Sequence, residues 1–207
     1  MSATASLPEL AAPAPLPVEQ ESRRAIWTRE SVRLAASLGF FDPERYELLE
    51  GELIEKMKNR RHTITLRRVR QALLAFFAEE YLQAEAPINV APTENETNAP
   101  EPDLVVLTRP DEDFLDTNPG PADIALVIEI ADSTLRRDLG SKATRYARAG
   151  IREYWVVDIE NRKLHVHREP SGDTWASITV LDETKIVSPL TAPQASIPLT
   201  ELFPPQQ

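Results

Sequence analysis

The sequence predicts an α/β fold in which a mixed β-sheet is flanked by helices. Residues 123–130 form an almost continuous apolar run, which is typical of a central strand buried on both faces. Between His62 and Tyr81 the apolar residues recur at helical spacing, which indicates an amphipathic helix of about five turns. Further elements are predicted at residues 152–158, 163–168 and 175–181, as strands of which the last two are antiparallel, and at residues 197–203, as a terminal turn of helix.

The first part of the chain predicts a helix and a hairpin. A short helix is expected over residues 27–39, with Thr28 as its N-cap and a glycine as its stop. Residues 46–56 indicate two short strands that turn at Glu50–Gly51, and a β-hairpin is the simplest account of them.

The middle of the chain predicts two strands, a loop and a helix. Strands are expected at about residues 88–91 and 103–108. Residues 109–121 are polar and rich in turn formers, which favours a surface loop. A helix is expected over residues 138–149, because Gly150 provides a stop signal directly after it.

The length of 207 residues is typical of one domain of ordinary size with a tail. Residues 1–22 are rich in Ala and Pro and lack hydrophobic periodicity, so they predict a disordered tail. Residues 23–207 are expected to form a single domain. No apolar run reaches the roughly 20 residues that a transmembrane helix needs, so no membrane association is expected.

The composition excludes several classes of site and partner. The chain has no cysteine, which rules out disulfides and thiolate metal sites and favours the reducing cytoplasm as its location. Its formal net charge of −10 argues against a protein that coats nucleic acid without specificity. An enzyme that contacts nucleic acid locally is still compatible with this charge.

Two acidic residues lie in strongly β-type segments. Asp103 begins one predicted strand, and Glu129 is near the end of the apolar run. A buried carboxylate without a partner is costly, so Glu129 requires a cation, and either a divalent metal or Lys142 on the next predicted helix would serve. Because Mg²⁺ prefers oxygen ligands and commonly takes one or two protein carboxylates with water, the pattern indicates a site for metal and phosphate.

A set of motifs extends in order from about Tyr46 to Phe203. The set comprises Tyr-Glu-Leu-Leu-Glu-Gly-Glu (46–52), His62, Pro-Asp-Leu-Val (102–105), Val-Ile-Glu-Ile (127–130), Ser133, Arg-Asp-Leu-Gly-Ser-Lys (137–142), Tyr146 and Ala-Gly-Ile-Arg-Glu-Tyr-Trp-Val-Val-Asp (149–158). It resembles the Uma-two restriction endonuclease family of the PD-(D/E)xK superfamily. The resemblance implies a restriction-endonuclease-like fold, in which Asp103 and Glu129 bind metal and Lys142 serves the water and the phosphate.

The chain departs from the superfamily pattern at one position. The pattern places a lysine two residues after the second acid, where this chain has Ala131. The lysine is therefore expected from the following helix. Lys142 is three residues from Leu139 and four from Tyr146, which are both predicted to point inward, so it should lie on the sheet-facing side and reach the carboxylates through its long stem.

Three further features near the predicted site each have two interpretations. Glu52 follows the hairpin turn and is either a solvated acid or a third acid of the site, and the resemblance favours the second role. His62 is expected either to cap or pack the helix or to contact water or phosphate. Residues 56–70 are basic and contain no acid, which indicates either a phosphate-binding wall or a solvated helix face.

The main functional hypothesis is a Mg²⁺-dependent endonuclease that hydrolyses DNA, with Mn²⁺ as a possible substitute ion. Asp103 and Glu129 would hold the metal, Lys142 would orient the water, and Glu52 and His62 complete the candidate catalytic set. The alternative is a catalytically silent nuclease-fold module that binds DNA or protein. A homodimer is also predicted, since dimers are common among nucleases that cut both strands.

Overall fold

The computed structural model describes residues 25–205, and the tail predicted at residues 1–22 lies outside the described residues. The elements in chain order are α1 (Arg29–Ser37), β1 (Tyr46–Leu49), β2 (Glu52–Glu55), α2 (Arg60–Leu73), β3 (Leu82–Ala84), β4 (Leu104–Leu107), β5 (Ile124–Ala131), α3 (Leu135–Arg137), α4 (Ala143–Ala149), β6 (Glu153–Asp158), β7 (Lys163–Ser171), β8 (Thr174–Asp182), β9 (Ile186–Val187) and β10 (Ile197–Pro198). A turn of π-helix, Asp138–Lys142, joins α3 to α4.

Six strands form one mixed sheet in the order β3-β4-β5-β6-β7-β8. All neighbours are antiparallel except β5 and β6, which are parallel and are connected by α3, the π-helical turn and α4. The pairs β1–β2 and β9–β10 form two small separate sheets. This architecture confirms the predicted fold class of a mixed β-sheet flanked by helices.

The sheet buries a hydrophobic core on each face. On one face, Val69 and Leu73 of α2 pack with Ile128 and the residues around it. On the other face, α4 packs with Val127 and Tyr154. Alternate residues of β5 therefore serve different cores, which explains why all eight residues of that strand are buried.

The predicted long helix is shorter than expected. Helix α2 ends at Leu73, and β3 follows a short helical turn at Glu79–Tyr81. The prediction of a strand at residues 88–91 was wrong. There the backbone N–H groups of Ile88 and Val90 donate to the carbonyl of Pro100 and to the side chain of Asn95. A loop therefore buries these two apolar side chains without a sheet partner.

The helix boundaries predicted from capping residues hold at two places. The Thr28 hydroxyl accepts a hydrogen bond from Ser31 at the start of α1. Gly150 ends α4 with φ of +79°, a left-handed conformation that glycine adopts without the steric cost of a side chain. Within residues 25–205, every helix is too short or too polar to cross a bilayer. A single domain over residues 23–207 stays a prediction.

Replacement of His167 by Phe is expected to reduce the loss of stability at acidic pH. The imidazole is buried beside the rings of Tyr154 and Trp175, and this burial, followed by the charge of His165, lowers the pKa of His167 from its ordinary value of 6.5. The unfolded chain then takes up the proton first, so stability is lost as the pH falls below that value. Urea unfolding at pH 8 and pH 5.5 should show a smaller acid-induced loss in His167→Phe than in the wild type.

The comparison at pH 8 is the control for this prediction. Both proteins are neutral at this position there, so any difference in the free energy of unfolding reports ring packing alone. Identical acid-induced losses in the two proteins would show that His167 does not titrate on unfolding.

Candidate active site

Strand register brings the two predicted acids together where β4 begins and β5 ends. Leu104 of β4 pairs with Ile128 of the antiparallel strand β5. Continuing this register by one residue places Asp103 opposite Glu129. Directly opposed residues of an antiparallel pair project from the same face with Cβ atoms about 5 Å apart, so the two carboxylates are neighbours on the face that α4 covers.

The carboxylate of Asp103 is held in place at both oxygens. Its Oδ2 accepts a hydrogen bond of 2.6 Å from the backbone N–H of Ile130. Its Oδ1 lies 2.9 Å from Nε2 of His62, in the first turn of α2. The side chain keeps 14 % of its surface exposed, so Asp103 is oriented by the protein and is still accessible from solvent.

Glu129 and Lys142 form a buried ion pair, as the isolated charge in the apolar strand requires. Lys142 Nζ donates to Glu129 Oε1 at 2.9 Å, and the hydroxyl of Tyr146 donates to the same oxygen at 2.9 Å. Lys142 Nζ also lies 3.1 Å from Oε2 of Glu47 in β1. Only 4 % of the Glu129 side chain and 5 % of the Lys142 side chain are exposed. The ammonium thus links the hairpin to the central strand.

The helical stretch after β5 is built to present this lysine. Lys142 is the last residue of the π-helical turn. The Tyr154 hydroxyl donates to the carbonyl of Asp138 at 2.9 Å, and the Thr134 hydroxyl donates to the carboxylate of Asp138 at 2.5 Å. Asp138 therefore lies inside the helical stretch, and its side chain bonds a threonine four residues earlier.

Position 131 explains why the lysine comes from the helix. Ala131 is fully buried and belongs to the core formed with Ala143, Tyr146 and Ala147. A lysine at position 131 would occupy the space that α4 fills. The small alanine lets the helix approach closely, so the helix itself provides the ammonium.

The site concentrates negative charge in a buried place. Burial, and after it the carboxylates of Asp103, Asp138 and Glu47, raise the pKa of Glu129, although Lys142 opposes them. Burial lowers the pKa of Lys142, but the surrounding carboxylates outweigh burial and leave it raised. The carboxylates therefore favour the ammonium form of the lysine, which neutralises only part of the surrounding negative charge.

His62 has an environment that favours its protonated form. Burial lowers its pKa, but the hydrogen bond and the charge of Asp103 act more strongly together, so that the pKa of His62 is raised. Its Nδ1 is buried without a hydrogen-bond partner among residues 25–205. His62 therefore holds Asp103 through one nitrogen and keeps the other nitrogen unused.

A cleft opens over this cluster and contains four of the five predicted site residues. Its lining is Glu47, Glu55, Lys56, Met57, Lys58, His62, Glu85, Glu101, Asp103, Glu129, Ile130, Asp132, Ser133, Thr134, Arg137, Asp138 and Lys142. Glu52 is exposed and does not line the cleft. Eight of the lining residues are acids, whereas Lys56, Lys58, Arg137 and Lys142 are the permanent cations, so the lining is acidic.

Glu47 is the hairpin acid that contacts Lys142, and the sequence analysis did not select it. The hairpin is tied to the segment before Asp103, because the N–H of Ala99 donates to the carbonyl of Leu48 at 2.8 Å. The N–H of Glu101 is 3.3 Å from Oε2 of Glu47. The sequence contains one signal for this position: Glu47 is followed directly by the apolar residues Leu48 and Leu49, which are buried in β1.

The donor set fits a small hard cation. Within residues 25–205, no three Asp, Glu or His side chains converge in a way that could hold a metal ion. Mg²⁺ does not require such a set, since one or two carboxylates and several waters commonly complete its shell. Asp103 and Glu129 offer two carboxylates in an acidic cleft, where a divalent cation would relieve the repulsion among the acids.

The mixed sheet brings two acids and a lysine together beside one cleft. The sequence matches the Uma2 family, described as "Putative restriction endonuclease", over residues 30–200. The chain belongs to this family. Membership indicates a nuclease.

A solved structure of similar fold is the crystal structure of a "putative nuclease belonging to DUF820" from Anabaena variabilis ATCC 29413. The two chains share 16 % sequence identity with a TM-score of 0.63, over 82 % of this chain and 96 % of that chain. At this identity the likeness concerns the fold alone. No curated protein matches this chain.

Replacement of Tyr146 by Phe should destabilise the protein more than replacement of Tyr154 by Phe. Tyr146 donates to the charged Glu129, and such a bond contributes about 1.5–3 kcal/mol to stability. Tyr154 donates to a neutral carbonyl, for which about 0.5–1.5 kcal/mol is expected. Urea unfolding at pH 7 measures both changes. Because both tyrosines are fully buried, each variant serves as the other's control, and equal losses would mean that the Glu129 carboxylate needs no hydroxyl donor.

Replacement of Lys142 by Met should destabilise the protein by about 3–5 kcal/mol at pH 7, because it leaves buried carboxylates without their cation. Burial and the neighbouring acids already raise the pKa of Glu129, and loss of the ammonium raises it further. A carboxyl group whose pKa is higher in the folded protein stabilises the fold fully below its pKa in the unfolded chain, about 4.3. This stabilisation is lost as the pH rises through the pKa of the folded protein. The penalty should therefore shrink when unfolding is measured at pH 5.

Lys163→Met is the matched control, since Lys163 is an exposed lysine on β7. Its effect should be small at both pH values. A penalty for Lys142→Met that does not change between pH 5 and pH 7 would contradict the assignment of the buried carboxylates as its origin.

Proposed function

We propose that this protein is a Mg²⁺-dependent endonuclease that hydrolyses phosphodiester bonds in DNA. The observation that supports the proposal most is the convergence of Asp103, Glu129 and Lys142 in one cleft of a chain that belongs to the Uma2 family. Two carboxylates would hold the cation, and the ammonium would align the attacking water. Mn²⁺ has the same preference for oxygen ligands and should substitute for Mg²⁺.

Asp103 and Glu129 are the residues that would hold the metal. When bound, it would lower the pKa of a water molecule and neutralise charge that develops on the phosphate. The protein contributes orientation. Asp103 is fixed by Ile130 N–H and by His62, and Glu129 is fixed by Lys142 and Tyr146. These contacts hold both carboxylates in defined positions.

Lys142 keeps one donor for the reaction. An ammonium has three N–H groups, and contacts with Glu129 and Glu47 account for two of them. The third can donate to a water or to a phosphate oxygen. Because the lysine stays protonated, it orients and stabilises by charge, and it does not act as the base that removes a proton.

We propose that Glu47 takes the place that was expected for Glu52. Glu47 lies in the cleft and contacts Lys142, whereas Glu52 is exposed on β2. His62 is proposed to position Asp103 through Nε2. A cytoplasmic location and a homodimer stay predictions of the sequence.

The alternative function is a nuclease-fold module that binds DNA or protein without cutting. One contact favours it: the ammonium of Lys142 lies within ion-pair distance of both Glu129 and Glu47. In such a module the cluster would be a structural ion pair. Metal binding and cleavage separate the two functions.

The decisive experiment incubates supercoiled plasmid and single-stranded DNA with the protein in Mg²⁺, Mn²⁺ or EDTA. The wild type should nick plasmid with either metal and not in EDTA. Asp103→Asn should lower the rate by about 100-fold or more, because it removes a charged metal ligand and keeps the shape of the side chain. Calorimetry should detect metal binding to the wild type and lose that signal in Asp103→Asn.

Glu52→Gln is the control, because it removes an exposed acid outside the cleft lining. Its nicking rate and metal binding should match the wild type. If the wild type and Asp103→Asn are equally unable to cleave DNA and to bind metal, the catalytic proposal is refuted and the binding module is left.

A further inference from the structure

A row of arginines leads away from the cleft along α2. Arg60, Ile64, Arg67 and Gln71 follow one another at positions i, i+4, i+7 and i+11, which lie on one face of a helix. Arg60 and Arg67 are both exposed. They are two helical turns apart, or about 10 Å along the axis. The helix starts at the cleft, because His62 in its first turn lines it.

A second basic group adjoins the start of this row. Arg136 of α3 is exposed, and Arg137 lines the cleft. The two groups meet where the Asn59 amide donates to the carboxylate of Asp132, from which the guanidinium of Arg61 is 4.0 Å away. Arg60, Arg61, Arg67, Arg136 and Arg137 are called the basic rim below.

The rim differs from the basic residues elsewhere on the surface. Several arginines of the surface are paired with acids: Arg45 with Glu55, Arg70 with Glu79, Arg109 with Asp123, and Arg148 with Glu94 and Asp173. In contrast, Arg60, Arg67 and Arg136 make no ion pair within residues 25–205. Arg60 shares a surface groove with Glu160, and Arg67 shares one with Glu201, but neither arginine is in ion-pair contact with that acid. A chain with net charge −10 therefore carries a band of positive charge without ion pairs beside an acidic cleft.

We infer that the basic rim binds the phosphate backbone of DNA on the flank of the bond that is cut. This inference rests on the proposed function for its choice of DNA as the polyanion. The acidic cleft repels phosphates, so attraction must come from its surroundings, and the rim is the neighbouring surface with free cations. Guanidinium groups suit this role because their planar array of donors matches two phosphate oxygens at once.

The geometry makes these contacts independent of base sequence and dependent on substrate length. Phosphate contacts position a strand and do not read bases. Because Arg67 is two helical turns from Arg60, a single nucleotide in the cleft would not reach it. Oligonucleotides that extend beyond the cleft should therefore bind more tightly than a mononucleotide or dinucleotide.

The test is fluorescence anisotropy with labelled duplex and single-stranded oligonucleotides in EDTA at 50–200 mM salt, where cleavage is absent. The slope of log K against log salt is negative, and each lost phosphate contact should reduce its magnitude by about 0.9 for duplex and about 0.7 for single strands. The double variant Arg60→Gln/Arg67→Gln should therefore lower the duplex slope by about 2. At 0.1 M salt this corresponds to weaker binding by about fivefold to tenfold for each arginine. Arg136→Gln should reduce the magnitude of the slope by the amount expected for one phosphate contact.

Arg152→Gln is the matched control, because Arg152 is an exposed arginine at the opposite edge of the sheet. It precedes β6, which runs parallel to β5, so it is far from the end of β5 that forms the cleft. Its affinity and salt slope should equal those of the wild type. If Arg152→Gln lost as much affinity as the double variant, overall charge would explain the effect, and the assignment of the basic rim would be overturned.

The binding and cleavage results are separable. Salt-dependent binding that the rim variants weaken, in a protein that never cuts DNA, would support the rim and refute the nuclease. Plasmid nicking by the wild type, with unchanged affinity and slope in the rim variants, would refute the rim and leave the nuclease. Equal weakening for oligonucleotides of different sequence would support backbone contact, whereas weakening confined to one sequence would contradict it.

Discussion

The buried ammonium of Lys142 is the constraint on which the arrangement of the site depends. It contacts Glu129 of the central strand and Glu47 of the hairpin, and it is delivered by the helical stretch that connects β5 to β6. A charge removed from water is tolerated only when opposite charges and hydrogen bonds surround it closely. The hairpin, the strand and the helix must therefore keep their relative positions for the protein to fold, and the same positions place the carboxylates at the cleft.

The charges of the surface divide the work between two regions. The cleft gathers more carboxylates than its own cations neutralise, which makes it receptive to a divalent ion and unfavourable for a phosphate. The adjoining arginines have the opposite property, since several of them make no ion pair within the part of the chain that the structure describes. Under the two proposals, the first region would take a cation and the second a polyanion. An overall acidic protein can in this way contact nucleic acid at one place without coating it.

The features that depend on local chemistry could be predicted from the sequence, whereas those that depend on how distant segments pack together were missed. The buried run of β5 and the glycine stop of α4 follow from side-chain patterns, and the demand of Glu129 for a cation follows from its apolar neighbours. Glu47 was missed because the hairpin has acids at several positions, and the hydrogen bonds between the hairpin and the segment around Ala99 determine which acid contacts Lys142. The end of α2 at Leu73 was missed because the apolar spacing continues to Phe76 and Phe77, although the chain there turns away to pair β3 with β4.

The π-helical turn Asp138–Lys142 makes chain length part of the site. A turn of this kind closes over one more residue than an α-helical turn. Removing a single residue between Ala131 and Lys142 would either close the π-helical turn to an α-helical one or, if that turn were kept, rotate the ammonium by about 100° relative to the strand. The number of residues along this connection therefore constrains the site as much as their side chains do. Members of such a lineage should accordingly be compared by the spacing between the second acid and the lysine as well as by residue identity.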